Sequence, residues 1–363
     1  LIYTTFGDLI ASILGAIFWL ILASILNVDY YGQVNYYIAI AIVSTGVGIL
    51  GLNITLTTYL AKGENNLLHE ANSFTLITGI VSALILSTFH WVVGILAATN
   101  IFFTMTQAEL LGTKKYRQYG LLSIGQKIIQ ISLSLILYYP LGIVGIILGY
   151  FLGTLILSYN YLRSLIGNFT LNFNHLKKKR NFALHSYGYN LIDKNLTYYL
   201  DKLIIGTLFG YYALGLYHLG FQFFMFLAII PTSLYNYLLP EESSGVNKNE
   251  IKIIGLVISI TVAITAYLTS PYLIESFFPT FIDSIPLVKI MSLAVIPQTI
   301  VAILTANRLG QERSRAVLLA GLLYLISLTV GLIILEQIMG ILGFATAIIL
   351  AQTIQAAYLL INK

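Results

Sequence analysis

The chain has 363 residues, 58% of them hydrophobic and 9% charged, with a net charge of +5 at neutral pH and no cysteine. Soluble domains carry about 25% charged residues, so a water-soluble fold of this size could not hide so much apolar surface, and the surplus must face lipid. The basic excess sits in short connections between apolar runs, which argues for topology signals rather than nucleic-acid binding, and the lack of cysteine excludes a disulfide framework or a thiolate metal site.

Apolar runs of roughly 18 to 25 residues follow one another, each long enough to cross a hydrocarbon core of about 30 Å. In chain order the predicted spans are 5–27, 33–59, 71–89, 91–111, 118–138 and 141–163, then 183–208, 212–239, 252–273, 285–306, 315–335 and 340–361. The first run lacks a basic flank and a small-residue cleavage site, so a cleaved signal peptide is not expected. The chain opens on Leu1, and a few further N-terminal residues are expected. Only Phe89, His90 and Trp91 separate the third and fourth spans.

Twelve spans put both termini on one side, and the basic residues then separate. Lys62, Lys114, Lys115, Arg117, Arg163, Lys177 to Arg180, Lys248, Lys252, Arg308, Arg313, Arg315 and Lys363 share that side. The opposite connections hold Asp29, Glu275, Asp283 and Glu336 but no Lys or Arg. Excess Lys and Arg marks the cytoplasmic side, so both termini are predicted to be cytoplasmic in a multi-pass protein of the plasma membrane.

The basic, Asn-rich stretch 166–181 divides the chain and reads as a solvated linker between an N-terminal bundle, 1–165, and a C-terminal bundle, 182–363. The halves look alike. Phe6–Gly7, Tyr30–Tyr31 and Tyr36 match Tyr187–Gly188, Tyr211–Tyr212 and Tyr217 under a shift of 181 positions. Later the shift is 198: Leu111–Gly112, Lys115 and Arg117 match Leu309–Gly310, Arg313 and Arg315, and Gly142–Ile143 with Gly145 match Gly340–Ile341 with Gly343. The difference of 17 predicts an insertion near 241–284. Two six-span repeats entering the membrane in the same direction are related by a pseudo-twofold axis along its normal, with substrate sites between them. The expected fold is therefore all-α, with about twelve transmembrane helices in two six-helix bundles.

Charge inside a membrane helix costs at least about 2.5–3.5 kcal/mol, so it faces a cavity or a partner. The seventh span carries most of it. Asn190, Lys194, Thr197 and Asp201 form one stripe at 3.6 residues per turn, and Asn195, Tyr198 and Lys202 form its neighbour. Asp193 lies beside them. Lys127, with Gln126 and Gln130, gives the fifth span a polar patch. Lys289 does so in the tenth, near an end from which it can snorkel to water. Asp8 and Glu109 lie near the ends of their spans, and His218 and Gln222 mark the eighth. One reading is a cavity in which Lys127, Lys194, Lys202 and Lys289, with Asn190, hold phosphate, since ammonium groups attract it as point charges. Asp193 and Asp201 would keep the lysines charged or couple a cation or proton. The other reading is that these acids and bases pair only with each other to hold helices together.

The five histidines at 69, 90, 175, 185 and 218 have no metal-ligand spacing, and no Gly-rich phosphate loop follows a strand. No cofactor is expected. The sequons at Asn53 and Asn195 lie inside spans and that at Asn168 is predicted cytoplasmic, so none is expected to carry a glycan. Tyr30, Tyr31, Tyr138, Tyr139, Tyr211 and Tyr212 read as an interfacial aromatic belt.

Three segments carry a family resemblance. Asp201 to Tyr217, reading Asp–Lys–Leu–Ile–Ile–Gly–Thr–Leu–Phe–Gly–Tyr–Tyr–Ala–Leu–Gly–Leu–Tyr, resembles the seventh-to-eighth span signature of polysaccharide-type flippases. These belong to the multidrug/oligosaccharidyl-lipid/polysaccharide exporter superfamily. Tyr30–Tyr–Gly–Gln–Val–Asn–Tyr36 resembles that family's first outer loop. Phe277–Phe–Pro–Thr–Phe281, with Ile285–Pro286 and Ile296–Pro297, resembles its ninth-to-tenth span region. The resemblance covers essentially the whole chain through loose motifs. It implies two six-helix bundles in a V, a central cavity alternating between the two sides, and a polyprenyl phosphate- or pyrophosphate-linked sugar as cargo. It maps the family's Asp-plus-basic pair onto Asp201–Lys202. Lys127, Lys194 and Lys289 rest on the physical argument alone.

The expected partners are a lipid-linked glycan and the bilayer, with glycan-assembly membrane proteins as further candidates. A cation-coupled multidrug exporter of the same superfamily would need a more acidic, apolar cavity, which four intramembrane lysines oppose. A membrane glycan polymerase or ligase would show a long outer loop rich in Arg, His or acidic residues. The longest one here, about Ser270 to Ile285, has neither Arg nor His. A transporter rather than an enzyme is therefore expected. A non-transporting scaffold would not need a polar seventh span.

Overall fold

The computed structural model describes residues 2–190, 197–246 and 248–361, nearly all of them helical and none in a strand. Backbone polar groups in lipid must be satisfied within the segment, which leaves the helix as the available element for such apolar runs. The first half contains α1 (Ile2–Ile25), α2 (Val28–Ile49), α3 (Leu52–Ala61), α4 (Leu67–Ser87), α5 (Trp91–Gly112), α6 (Tyr116–Leu141), α7 (Ile143–Leu157) and α8 (Tyr159–Leu165). Short helices α9 (Asn174–Lys178) and α10 (Arg180–Asn190) follow. Then come α11 (Thr197–Leu208), α12 (Gly210–Leu227), α13 (Ile229–Ser243), α14 (Asn249–Phe277), a 3-10 turn (Pro279–Ser284), α15 (Ile285–Leu293), α16 (Val295–Gly310), α17 (Ser314–Met339) and α18 (Leu342–Ile361).

Ten segments are long and apolar enough to cross a membrane, and α7 with α8, bent by 58°, makes an eleventh. They coincide with the predicted spans other than the seventh. That span corresponds to α10 and α11, and residues 191–196 between them lie outside the described set. The protein is an all-α polytopic membrane protein. Large apolar side chains such as Leu84, Ile85, Ile136, Ile253, Leu268 and Ile338 stay exposed, as lipid-facing residues must. On the exposed face of α14, Thr261, Thr265 and Thr269 donate their hydroxyls to the carbonyls four residues back, which leaves no hydroxyl unmet in lipid.

Several spans are broken. The second divides at Leu50 and Gly51, both with positive φ (51° and 73°). A side chain at Gly51 would also overlap the Ala183 carbonyl on α10. The eighth divides at Ala228 and the tenth at Ala294. The expected long loop from Ser270 to Ile285 is instead the last turns of α14 followed by the 3-10 turn. Ile274 and Phe281, both fully buried, anchor it, and the backbone kinks at Phe281 (φ −109°, ψ 22°).

The internal repeat is visible in the backbone. Helices α6 and α17 each have 26 residues, offset by the predicted 198. Gly142 and Gly340 end them with φ of 59° and 61°. Their N–H groups close on Tyr138 and Glu336 carbonyls at 2.8 and 2.7 Å. Lys114 and Glu312, also 198 apart, share φ of 59° and 61°. The predicted insertion falls in α14, which has 29 residues against 21 in α4, and in the 3-10 turn.

The chain forms two compact units: Leu1–Phe18 with Val34–Leu203, and Trp19–Gln33 with Ile204–Lys363. In the first, Leu56, Leu60, Leu67, Ile101, Met105 and Tyr161 form a core around the stacked pair Phe102–Tyr161 (4.8 Å between ring centroids). Leu176 of α9 and Ala183 of α10 belong to that core. The basic stretch keeps Lys177, Lys178 and Arg180 exposed and is anchored through Leu176. Its backbone is also held, since Thr170 N–H donates to Ser73 Oγ at 3.1 Å. In the second unit, Tyr31 departs from the expected aromatic belt. It is fully buried against Trp19 and Phe281, with its hydroxyl 3.1 Å from His218 Nδ1. A phenol that finds a hydrogen-bond partner can leave the interface for the core. Tyr30, Tyr139 and Tyr212 stay exposed.

Candidate functional site

Helical spacing brings four polar faces together in the first unit. On α1, Asp8, Ser12 and Gly15 are four and three residues apart; on α5, Asn100, Phe103 and Gln107 repeat likewise. On α6, Tyr119, Ser123, Gln126 and Lys127 do the same, and α7 adds Tyr150 and Thr154. Residues at such intervals share one helix face. These faces line a cavity of about 530 Å³. Small residues make the room. Gly7 and Gly120 let α1 and α6 touch backbone to backbone, and a side chain at either would overlap the other helix. Next to that crossing, Tyr119 donates its hydroxyl to Asp8 Oδ1 at 2.9 Å. Gly15 leaves space opposite the Lys127 stem.

Lys127 is the one basic side chain among the residues lining the cavity. It lies about 17 Å along a helix about 39 Å long, close to that helix's midpoint. Its ammonium donates to Gln130 Oε1 at 3.2 Å and sits 5.3 Å from the Tyr150 ring centroid. Gln126 donates to the same Gln130 oxygen at 2.9 Å, so the two side chains orient each other. Gln107 donates to Ser123 Oγ at 3.1 Å. Asn100 is 8% exposed, and its Nδ2 has no hydrogen-bond partner. An unpaired buried amide costs about 1–3 kcal/mol. A hydrogen-bond acceptor entering the cavity would relieve that cost.

The other expected site residues lie elsewhere. Asp201 and Lys202 are 2% and 3% exposed, with Lys202 Nζ 3.3 and 3.4 Å from the two Asp201 carboxylate oxygens. Asp201 Oδ1 also accepts the Lys202 backbone N–H at 2.8 Å, and the ammonium lies 5.4 Å from the Tyr199 ring centroid. Neither residue lines the Lys127 cavity. Lys289 is half-buried on α15 in the second unit, its ammonium 5.3 Å from the Tyr267 ring centroid. Asp193, Lys194 and the Asn190 side chain lie outside the described residues. Sequence reading missed Asn100, Gln107, Tyr119 and Tyr150. The seven-residue interval from Asn100 to Gln107 was the available signal, hidden because neither residue is charged.

No family model matches the sequence, and no curated protein matches it. Solved structures do. The inward closed conformation of the lipid II flippase MurJ has a TM-score of 0.78 at 14% identity, over 99% of this chain and 87% of that one. An inward-facing multidrug resistance MATE family transporter of the MOP superfamily has a TM-score of 0.69 at 15% identity, over 98% of this chain and 92% of that one. An outward-facing multidrug resistance MATE family transporter of the MOP superfamily has a TM-score of 0.59 at 14% identity, over 99% of this chain and 92% of that one. At these identities the likeness concerns the fold, which this chain shares along nearly its whole length with flippase and exporter structures.

Proposed function

We propose that the protein is a membrane transporter that flips a polyprenyl phosphate- or pyrophosphate-linked oligosaccharide across the cytoplasmic membrane by alternating access. The observation that carries this reading is the polar cavity around Lys127, set within helices apolar enough to cross a membrane. A mid-helix ammonium flanked by Gln126, Gln130, Asn100 and Gln107 offers one positive charge and several amide groups. That combination suits a phosphate with attached sugar hydroxyls. Lys202 and Lys289, with Lys194 and Asn190, would meet the phosphate at other stages of the cycle. Asp193 and Asp201 would set the charge of the lysines. The moving bodies would be the bundles 1–165 and 182–363, joined through 166–181. The basic connections favour a cytoplasmic location for both termini. The fold shared with transporters supports movement of cargo over catalysis.

A second reading, a cation-coupled exporter of small molecules, draws on the Asp8 carboxylate beside Tyr119 in the same cavity. Reconstitution separates them. Proteoliposomes holding the protein should expose the inner-leaflet pool of a fluorescent polyprenyl pyrophosphate-linked oligosaccharide to a membrane-impermeant quencher faster than empty vesicles, and Lys127→Gln should slow this. Export of a cationic dye with no movement of any lipid-linked sugar would replace the first reading with the second.

A further inference from the structure

The second unit contains a pocket of about 450 Å³ between α14, α16 and α18, at the end that carries the basic connections. Lys252, Arg308, Arg313 and Asn307 form its polar wall, and Ile303 and Leu360 are among its apolar residues. Lys252 is compensated, because its ammonium pairs with Glu242 at 2.5 Å. Glu242 also accepts from Asn307 Nδ2 at 2.7 Å. The two arginines differ. Arg308 is 6% exposed, and its hydrogen bonds go to neutral groups: the Leu359 carbonyl at 2.7 and 3.1 Å, and Asn307 Oδ1 at 3.5 Å. Among the described residues no carboxylate lies within ion-pair distance of Arg308 or Arg313. The C-terminal carbonyls of α18 supply only about half a negative charge. A buried guanidinium without an anion is costly, and Arg308 still has N–H groups to give.

The repeat provides an internal comparison. At a shift of 198, Asn307, Arg308 and Arg313 correspond to Glu109, Leu110 and Lys115. The first half therefore has a carboxylate and a leucine where the second has an amide and an arginine. At these matched positions, the buried arginine with no carboxylate within ion-pair distance among the described residues belongs to the second half.

We propose that this pocket binds a phosphate-bearing anion, with Arg308 and Arg313 on the phosphate oxygens and the apolar residues against the attached group. Guanidinium groups match phosphate geometry, and basic pockets between membrane helices on the side of the basic connections suit lipid headgroups. The site is separate from the Lys127 cavity and does not depend on the cargo assigned there.

The test uses the full chain in nanodiscs of phosphatidylcholine, alone or with phosphatidylglycerol, and in detergent with inorganic phosphate. Retained lipid is counted by native mass spectrometry, and unfolding is followed by intrinsic fluorescence. Phosphatidylglycerol should be retained and should raise the unfolding temperature. R313Q should weaken this about fivefold and R313E further, whereas K115E should leave it intact. Arg313 is exposed, so these variants keep the fold. Protection by phosphatidylglycerol but not by inorganic phosphate makes a lipid the source. Protection by inorganic phosphate that R313E removes makes the free anion the source. Equal losses in K115E and R313E, or no protection by either anion, would overturn the assignment.

Discussion

The buried carboxylate of Glu70, at the start of α4, accepts the backbone N–H of Leu176 at 2.8 Å from more than a hundred residues away. The same side chain accepts the N–H of His175 at 3.3 Å and lies 2.7 Å from His175 Nδ1. The first turn of α9 thus takes its cap from another helix, where a carboxylate best meets orphan N–H groups. Nearby, Lys179 pairs with Glu64 at 2.8 Å and lies 3.9 Å from the Tyr59 ring centroid.

Glu70→Ala should therefore loosen the basic stretch. Losing both acceptors from a buried cap should cost about 1–3 kcal/mol. Limited trypsin digestion at Lys177 to Arg180 should speed up, and the unfolding temperature in detergent should fall. Glu64→Ala, which breaks a more exposed pair, should cost no more than about 1 kcal/mol. Equal trypsin sensitivity in the two variants would remove the cap from the account.

Replacing Asp201 or Lys202 singly should reduce stability as well as transport. Taking the carboxylate from a buried ammonium costs about 3–5 kcal/mol, whereas replacing both partners by apolar residues is often near neutral. Asp201→Ala should thus unfold earlier than the double variant Asp201→Leu with Lys202→Leu. Measuring flipping in that double variant separates the roles: a stable, active protein would make the pair structural only.

Lys127→Gln should leave thermal stability nearly unchanged, because its ammonium lines an open cavity and bonds to one amide oxygen. Flipping in proteoliposomes should fall at least tenfold under the proposed function. Lys289→Gln, at a half-buried position over Tyr267, should have the smaller effect on flipping. The reverse order would shift the phosphate site into the second unit.

Gly145→Ala and Gly343→Ala should be destabilising to similar degrees. A methyl at Gly145 would overlap the Leu137 carbonyl, and one at Gly343 would overlap that of Leu335, the same contact one repeat later. Overpacking of this kind costs about 1–3 kcal/mol. Gly321→Ala has open space and should be neutral or stabilising by up to about 1 kcal/mol. Thermal unfolding of the three variants in one detergent makes the comparison.

Much of the architecture follows from the chain's own pattern. Continuous apolar runs can only be helices in lipid, because each backbone group must find its partner within the segment. Gly142 and Gly340 were readable as matched helix ends because their turn chemistry is local. Lys127 stood out because a charge is conspicuous in an apolar run, and the 198-residue shift is preserved in matched backbone angles at Lys114 and Glu312.

What composition could not reveal depended on which faces meet. Asn100, Gln107 and Tyr150 come to line one cavity only where α5, α6 and α7 converge, which no single segment's composition reveals. Tyr31 looks like an interfacial residue until His218, 187 positions later, supplies its partner. The basic stretch keeps its exposed basic residues, but composition gave no sign that Glu70 and Leu176 would anchor it. Partitioning into lipid is a property of each segment and was legible in sequence; compensation of a buried polar group belongs to a pair, and only the tertiary structure decided the pairs.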